Sequence, residues 1–382
     1  MILIGLVAIA TAGSGCSWFG GDEDDNPPAD LVKFKPTIRI KKAWSAGLGD
    51  DAKNLRLALT VGTDGANVFA AAHDGRVAAF EAVKGKRLWR KKTKLPLSAG
   101  PAVGEGLLVL GSNNGEVIAL NAADGSERWR TIVSSEVLAP PAITSDLVLV
   151  RTVDGKLTAL NIDTGGEAWF VQQSVPRLSV RGTGAPVVAG DAVVCGFDNG
   201  RIASYELGDG SVIWDALVAP PRGRTEVDRL SDLNATVRIV GEDVYAIGYQ
   251  SSLSALAVES GQVLWNREIG SHIGVGVDFN NIYVTGDAGQ LYALSRRTGR
   301  EIWRHEALMN RDVTGPAPYG SSIVVGDYDG YLHWYDSRDG SLQARKRAGG
   351  NRITSVPLVV NDMVFVITDG GKLYAFTEIR KD

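Results

Sequence analysis

Cysteine is almost absent from this chain of 382 residues: only Cys16 and Cys195 occur. No disulfide framework is available, so the fold must be held by a buried core. Histidine is nearly as scarce. His73, His272, His305 and His333 are scattered without ligand-like spacing, which argues against a zinc site. No long basic run accompanies the net charge of −4; phosphate binding wants a clustered positive face, so nucleic acid is not expected as a partner. Neither a phosphate-cradling P-loop nor a G-x-S-x-G elbow is found. The apolar run at the start, residues 1–12, is too short to span a bilayer as a helix.

That run does have the length of a signal-peptide core, and small residues follow it. Gly13-Ser14-Gly15-Cys16 resembles a bacterial lipobox, although Gly13 stands where Leu is usual and no Lys or Arg precedes the run. Residues 1–15 are therefore expected to be a lipoprotein signal peptide, with Cys16 the lipidated residue. Lipidation would leave Cys195 without a partner. In "DAVVCGF" it reads as a small buried hydrophobe rather than a nucleophile. "GGDEDDNPPAD" has almost nothing to bury, so residues 16–36 read as a flexible acidic tether. Residues 37–382 form the folded body.

What the chain has in quantity is glycine, 46 residues of it, and the glycines recur in a pattern. "LLVLGSNNGEVIALNAADGSERW" (107–129), "LVLVRTVDGKLTALNIDTGGEAW" (147–169) and "IYVTGDAGQLYALSRRTGREIW" (282–303) are copies of one unit. Each holds an apolar strand, a turn with glycine, a strand ending in Ala-Leu, a second Gly turn and a Trp. The marker tryptophans are Trp44, Trp89, Trp129, Trp169, Trp214, Trp265 and Trp303, with Ala344 in the eighth place. Alternation within "GEVIALNA" has the strand period, and Asp/Asn-Gly pairs supply the φ > 0 that tight hairpins require. A further short strand precedes each unit, as in "APPAITS". Four strands per roughly forty residues is the blade of a β-propeller.

The chain ends agree with a closed ring. The last unit stops before its Trp strand, while "TIRIKKAWSAG" near the N-terminus is a lone strand carrying Trp44. Each supplies what the other lacks. The expected fold is therefore all-β: an eight-bladed propeller of four-stranded antiparallel blades, closed by pairing the N-terminal strand with the C-terminal blade. Closure hides edges that would otherwise invite aggregation. Trp334 is placed to fill the gap left at Ala344.

The repeated Gly-x-x-x-Trp ending resembles the tryptophan-docking repeat of the quinoprotein (PQQ-type) propellers. The resemblance implies that the rings are core residues, locking neighbouring blades. It also raises an enzyme, or a cell-envelope propeller holding a small ligand or cofactor at its axis, as an alternative. Family dehydrogenases are longer, use adjacent cysteines against the quinone and bind calcium. This chain has no Cys-Cys pair, and Asp74, Asp154, Asp329 and Asp369 precede turn glycines, where backbone bonding explains them. No catalytic residue, metal ligand or cofactor is assigned.

Departures from the repeat are where binding would be specified. Spacings between marker tryptophans run 45, 40, 40, 45, 51 and 38. Two of the three longest gaps are consecutive and hold "FVQQSVPRLSVRGTGAP" (170–186) and "DALVAPPRGRTEVDRLSDLNATV" (215–237). Both cross from an outer strand to the next inner strand, so both should emerge as neighbours on one face. The first offers Leu178, Val180 and Arg181, and the second Asp228, Asp232 and Asn234. Apolar anchors beside charges suit a protein interface; two solvated loops remain the other reading from physics alone. The second segment lacks the glycine and ligand spacing of a calcium loop.

With the lipobox, the Trp repeat, "PRLSVRG" and "TEVDRLSD", nearly the whole chain is similar to the BamB family, lipoprotein subunits of the bacterial β-barrel assembly machinery. The resemblance implies a non-catalytic scaffold, lipid-anchored on the periplasmic side of the outer membrane, with Ser17 after the lipidated residue fitting that sorting. It implies docking on a periplasmic POTRA domain of the barrel subunit BamA through Leu178, Val180 and Arg181, then Asp232 and Asn234, with Asp228 nearby. Unfolded outer-membrane proteins are the implied clients.

Overall fold

The computed structural model describes residues 26–49, 59–179, 184–220, 224–225, 230 and 232–379. They form eight four-stranded antiparallel sheets. Seven are continuous: blades 1 to 7 span 61–92, 97–132, 142–172, 187–217, 238–267, 275–305 and 317–347. Blade 8 joins Leu358–Val360, Met363–Thr368 and Lys372–Glu378 to the N-terminal strand Ile40–Gly47, which pairs antiparallel with Lys372–Glu378. One hydrophobic cluster lies at each junction between neighbours, and the cluster joining Phe365 and Leu373 to Val68 and Phe80 connects blade 8 back to blade 1. The ring is closed, as its sequence pattern required.

Position within a blade explains each strand's composition. The middle strands are covered on both faces, so "LVLVR" of Leu147–Arg151 and "KLTALN" of Lys156–Asn161 bury nearly every residue. The outermost strand is covered on one face only, and Glu167–Gln172 alternates accordingly, with Trp169 inward. Turn glycines Gly115 and Gly155 sit at φ +80° and +88°, where a side chain would be strained.

The Gly-x-x-x-Trp signal encodes a contact between blades. Each marker indole donates from Nε1 to a carbonyl in the last turn of the following blade: Trp89 to Ala122 at 2.8 Å, Trp169 to Leu207 at 2.8 Å and Trp214 to Val258 at 2.7 Å. That turn also supplies a left-handed glycine against the ring. A Cβ on Gly125 would lie 2.7 Å from Trp89, and one on Gly165 2.6 Å from Trp129. Only glycine permits both the turn and the indole's close approach.

Blade 7 departs from this rule. In most blades an Ala of the third strand is paired with the Trp of the fourth, as Ala119 with Trp129; here Trp334 is paired with Ala344. Large and small residues have changed strands. Trp334 is fully buried between blades 7 and 8, in edge-to-face contact with Phe376 at 6.2 Å. The physical reason is the closure itself. Blade 8 takes its fourth strand from the other end of the chain, so no turn joins its third and fourth strands, and none is there to receive an indole.

Two faces follow from the strand order. Turns between the first and second strands, and between the third and fourth, lie on one end of the ring, here the turn face. Turns between the second and third strands share the other end, the crossover face, with the links from blade to blade. Residues 26–36 differ from the free tether expected over 16–36. Leu31 packs into the cluster between blades 6 and 7, and backbone groups of Ala29 and Thr37 bond to Met309 and Gln343. An apolar Leu31 and Phe34 within a charged stretch is the reason this part does not stay in water. The expected signal peptide and Cys16 lie outside the described residues.

Candidate functional site

The two long links, 173–186 and 218–237, leave the outer strands of blades 3 and 4 on the crossover face, and the structure brings them into contact. The Ala185 N–H donates to Thr236 Oγ1 at 3.0 Å, and Gly184 lies so close to Ala235 that a Cβ would meet its carbonyl oxygen at 2.8 Å. Their shared base is fastened to the propeller. Leu233 N–H bonds to the Phe197 carbonyl, and Tyr249 N–H to the carbonyl of Asp232. Gln173 at the root of the first link donates to Tyr205 at 3.2 Å and to Asp215 at 3.1 Å. Asp215 is in turn paired with Arg201 at 2.5 Å.

Of the residues expected to make a partner surface, Leu178 is 43 % exposed, a large aliphatic side chain left in solvent. Asn234 is half-buried. Asp232 is a correction, for it is only 1 % exposed and does not form an acidic rim. The cause lies in its neighbours: Leu233, Ala235 and Val237 are all buried, so the chain dives between blades 4 and 5 at this point and takes Asp232 down with it. Val180, Arg181 and Asp228 lie outside the described residues.

Sequence reasoning missed a groove of about 480 Å³ beside the second link, lined by Leu217, Val218, Leu230, Ser252, Val263 and Asn266 among others. Leu217 and Val263 on its rim are 48 % and 45 % exposed. Its floor is polar, with Asn266 Nδ2 donating to the hydroxyls of Ser252 and Ser254, both at 2.9 Å. The available signal was the apolar alternation of "SVIWDALV" (211–218).

Cys195, Arg151 and Asp198 are built into the core between blades 3 and 4. Burial pushes the Cys195 thiol up to about 11, with Arg151 acting against it. Arg151 Nη2 lies 3.7 Å from Asp198 Oδ2 and its guanidinium stacks 4.6 Å from the Phe197 ring. Burial still raises the Asp198 carboxyl to about 6. His73 meets the Leu97 carbonyl at 2.8 Å, His272 meets Asp287 at 3.0 Å, and His305 packs on Trp303. Among the described residues no three His, Cys, Asp or Glu gather as a metal site, and no helix is long and apolar enough to cross a membrane.

Comparison with known proteins gives these features a family context. The family model described as outer membrane protein assembly factor BamB matches residues 73–305. The outer membrane protein assembly factor BamB of Pseudomonas aeruginosa is 46 % identical over 372 residues, covering 97 % of each chain. The crystal structure of BamB from Moraxella catarrhalis superposes with a TM-score of 0.82 at 25 % identity, covering 89 % of this chain and 100 % of that one. A europium-containing methanol dehydrogenase superposes at 0.72 with 13 % identity, over 89 % of this chain and 93 % of that one, which shows a common fold.

Proposed function

This chain belongs to the BamB family of outer membrane protein assembly factors, and from that premise we propose how its surface serves that role. It is a scaffold subunit of the outer-membrane protein assembly machinery, working at the outer membrane. It acts by binding and not by catalysis, held on the periplasmic side through lipid on Cys16. The two touching links are its docking surface for a POTRA domain of BamA. Leu178 is the apolar anchor, Val180 extends it, and Arg181 supplies the charge-assisted contacts that often dominate an interface. Asp228 and Asn234 complete the polar rim; buried Asp232 shapes the second link without touching the partner. Unfolded outer-membrane proteins are handled while BamA is held.

One observation carries this reading. Links that are far apart in sequence are pinned together by the Ala185–Thr236 bond, and Leu178 of the first link is left in solvent. An apolar residue at an ordered root is preorganised for a partner, so little ordering entropy is lost on binding. A small-ligand role at the axis is not favoured, because the long relatives over the full chain are assembly factors.

The test is co-purification of BamA from detergent-solubilised membranes. Arg181→Glu is expected to weaken association on the order of a hundredfold, as loss and reversal of an interface arginine does, with the propeller still folded. Arg128→Glu, on the outer strand of blade 2, is expected to leave association unchanged. Wild-type association by Arg181→Glu overturns the assignment.

A further inference from the structure

The stretch 27–37 has the contacts of a docked element. The Ala29 N–H donates to the Met309 carbonyl at 2.9 Å, and Thr37 N–H to Gln343 at 3.0 Å. Two arginines hold the backbone between them: Arg311 donates to the Ala29 carbonyl and Arg345 to the Val32 carbonyl, each at 3.1 Å. Asn310 adds a bond to the Pro27 carbonyl at 3.3 Å. Side chains interlock as well, with Leu31 against the core between blades 6 and 7 and Phe34 under the Arg345 guanidinium at 5.3 Å.

Both arginines are fixed from behind by groups that belong to blade 7. Arg311 bonds to Asp327 at 2.9 Å and Asp329 at 2.7 Å, and stacks on Tyr328. Arg345 Nε donates to His333 Nδ1 at 3.2 Å, while His333 Nε2 meets Asp327 Oδ2 at 3.1 Å. That arrangement needs a neutral ring whose proton sits on Nε2. Burial first of all, with the nearby arginines, lowers the affinity of His333 for a second proton, and Asp327 acts the other way. His333 and Asp327 are fully buried. The arginines are therefore preorganised, and the segment meets a cradle that is already rigid.

The direction of the segment is set by these contacts. Gln343 is near the start of the outermost strand of blade 7, Leu342–Arg347, and thus near the turn face. Met309, Asn310 and Arg311 are in the link from blade 6 to blade 7, on the crossover face. Followed backward from Thr37, the chain climbs blade 7 and leaves it on the face that carries the two long links. Only residues 17–25 then separate Cys16 from Asn26. Such a span reaches about 35 Å when fully extended and on the order of 18 Å as a coil.

We infer that residues 27–37 are a docking strap that fixes where the N-terminus leaves the propeller and so turns the crossover face toward the membrane. The strap itself rests on the contacts above; the orientation also rests on the lipid anchor proposed for Cys16. Without the strap, a coil running from Cys16 to Ile40 would be long enough to let either end of the ring face the bilayer. With it, the turn face is held farther from the anchor by a blade height, roughly 20 Å for six residues of strand. The surface proposed for BamA is thereby presented toward the membrane that BamA occupies.

The experiment uses the full-length lipoprotein on vesicles whose headgroups carry an energy-transfer acceptor. Single donor dyes are placed through Asn114→Cys on the crossover face and Ser145→Cys on the turn face. Buried Cys195 needs no removal. Transfer is expected to be clearly stronger from position 114. Leu31→Glu/Phe34→Ala, which alters the strap and leaves the cradle intact, should at least halve that difference and raise amide exchange at Ala29 and Thr37 tenfold or more. Equal transfer from the two positions overturns the orientation, as does a difference that survives strap release. Unprotected amides at Ala29 and Thr37 in the parent protein overturn the strap. Failure to bind vesicles overturns the anchor, and the orientation with it, while amide protection still decides the strap.

Discussion

Replacing Trp334 with Phe should be almost free, although Trp334 is among the most deeply buried side chains in the molecule. Its Nε1 is buried without a hydrogen-bond partner among the described residues, because the seam has no turn carbonyl to accept it. An unmet buried donor costs about 1–3 kcal/mol. Phenyl removes that donor and gives up roughly 60 Å² of apolar area, about 1.5 kcal/mol, so the two effects nearly cancel. Trp129→Phe gives up the same area, but Trp129 donates to the Ile162 carbonyl at 2.6 Å. Losing that bond and stranding the carbonyl adds about 1–3 kcal/mol. The two variants should therefore differ by about 2–6 kcal/mol, read as separate shifts of the urea midpoint against wild type. Trp334→Ala and Trp129→Ala serve as controls, each expected to lose about 3–5 kcal/mol because both rings are core. If Trp334→Phe costs as much as Trp129→Phe, the reversed pair is not an unpaired-donor site and the reasoning about the seam fails.

Gly125→Ala should cost about 2–4 kcal/mol, from φ +72° and the approach of 2.7 Å to Trp89. Gly106→Ala, with the same φ and open space around it, should cost only about 1–2 kcal/mol; equal shifts in melting temperature would show that the ring contact is immaterial. Asp198 has its folded carboxyl raised from an ordinary value near 3.8 to about 6. The folded state therefore binds the proton more tightly, and its contribution to stability is fully present below pH 4 and lost as pH rises through 6. Asp198→Asn should remove that fall from a stability profile taken between pH 4 and 6.5, and a profile identical to wild type would exclude Asp198 as its source.

The fold was legible because a propeller writes its structure once per blade. Trp, the turn glycine and Ala-Leu recur at fixed offsets, and the incomplete units at the two ends showed how the ring closes. The proposed docking surface was legible only as spacing and resemblance. The links 173–186 and 218–237 stand out because they lengthen the repeat, but spacing does not say which of their residues are buried. Asp232 looked like a rim acid and is instead carried inward by Leu233 and Ala235. The strap was hidden for a related reason. Residues 26–36 are mostly polar or proline, and composition cannot reveal that Arg311 and Arg345, some three hundred residues later, wait for their carbonyls.

Closure, the reversed tryptophan and the strap have one origin. A ring sealed by its N-terminal strand must leave one blade without a turn between its third and fourth strands. The neighbouring blade then has neither carbonyl nor glycine to receive an indole, so Ala344 stands where Trp would, and Trp334 fills the space from the adjacent strand. The chain that would have formed the missing turn is replaced by the approach to Ile40, which must pass the outer edge of blade 7. That edge is an open strand, and an uncovered one is a template for unwanted pairing. Thr37 bonding to Gln343 covers part of it. Here the Arg311 and Arg345 cradle fixes that approach on blade 7, and on the reading proposed above, fixing it gives the ring a direction.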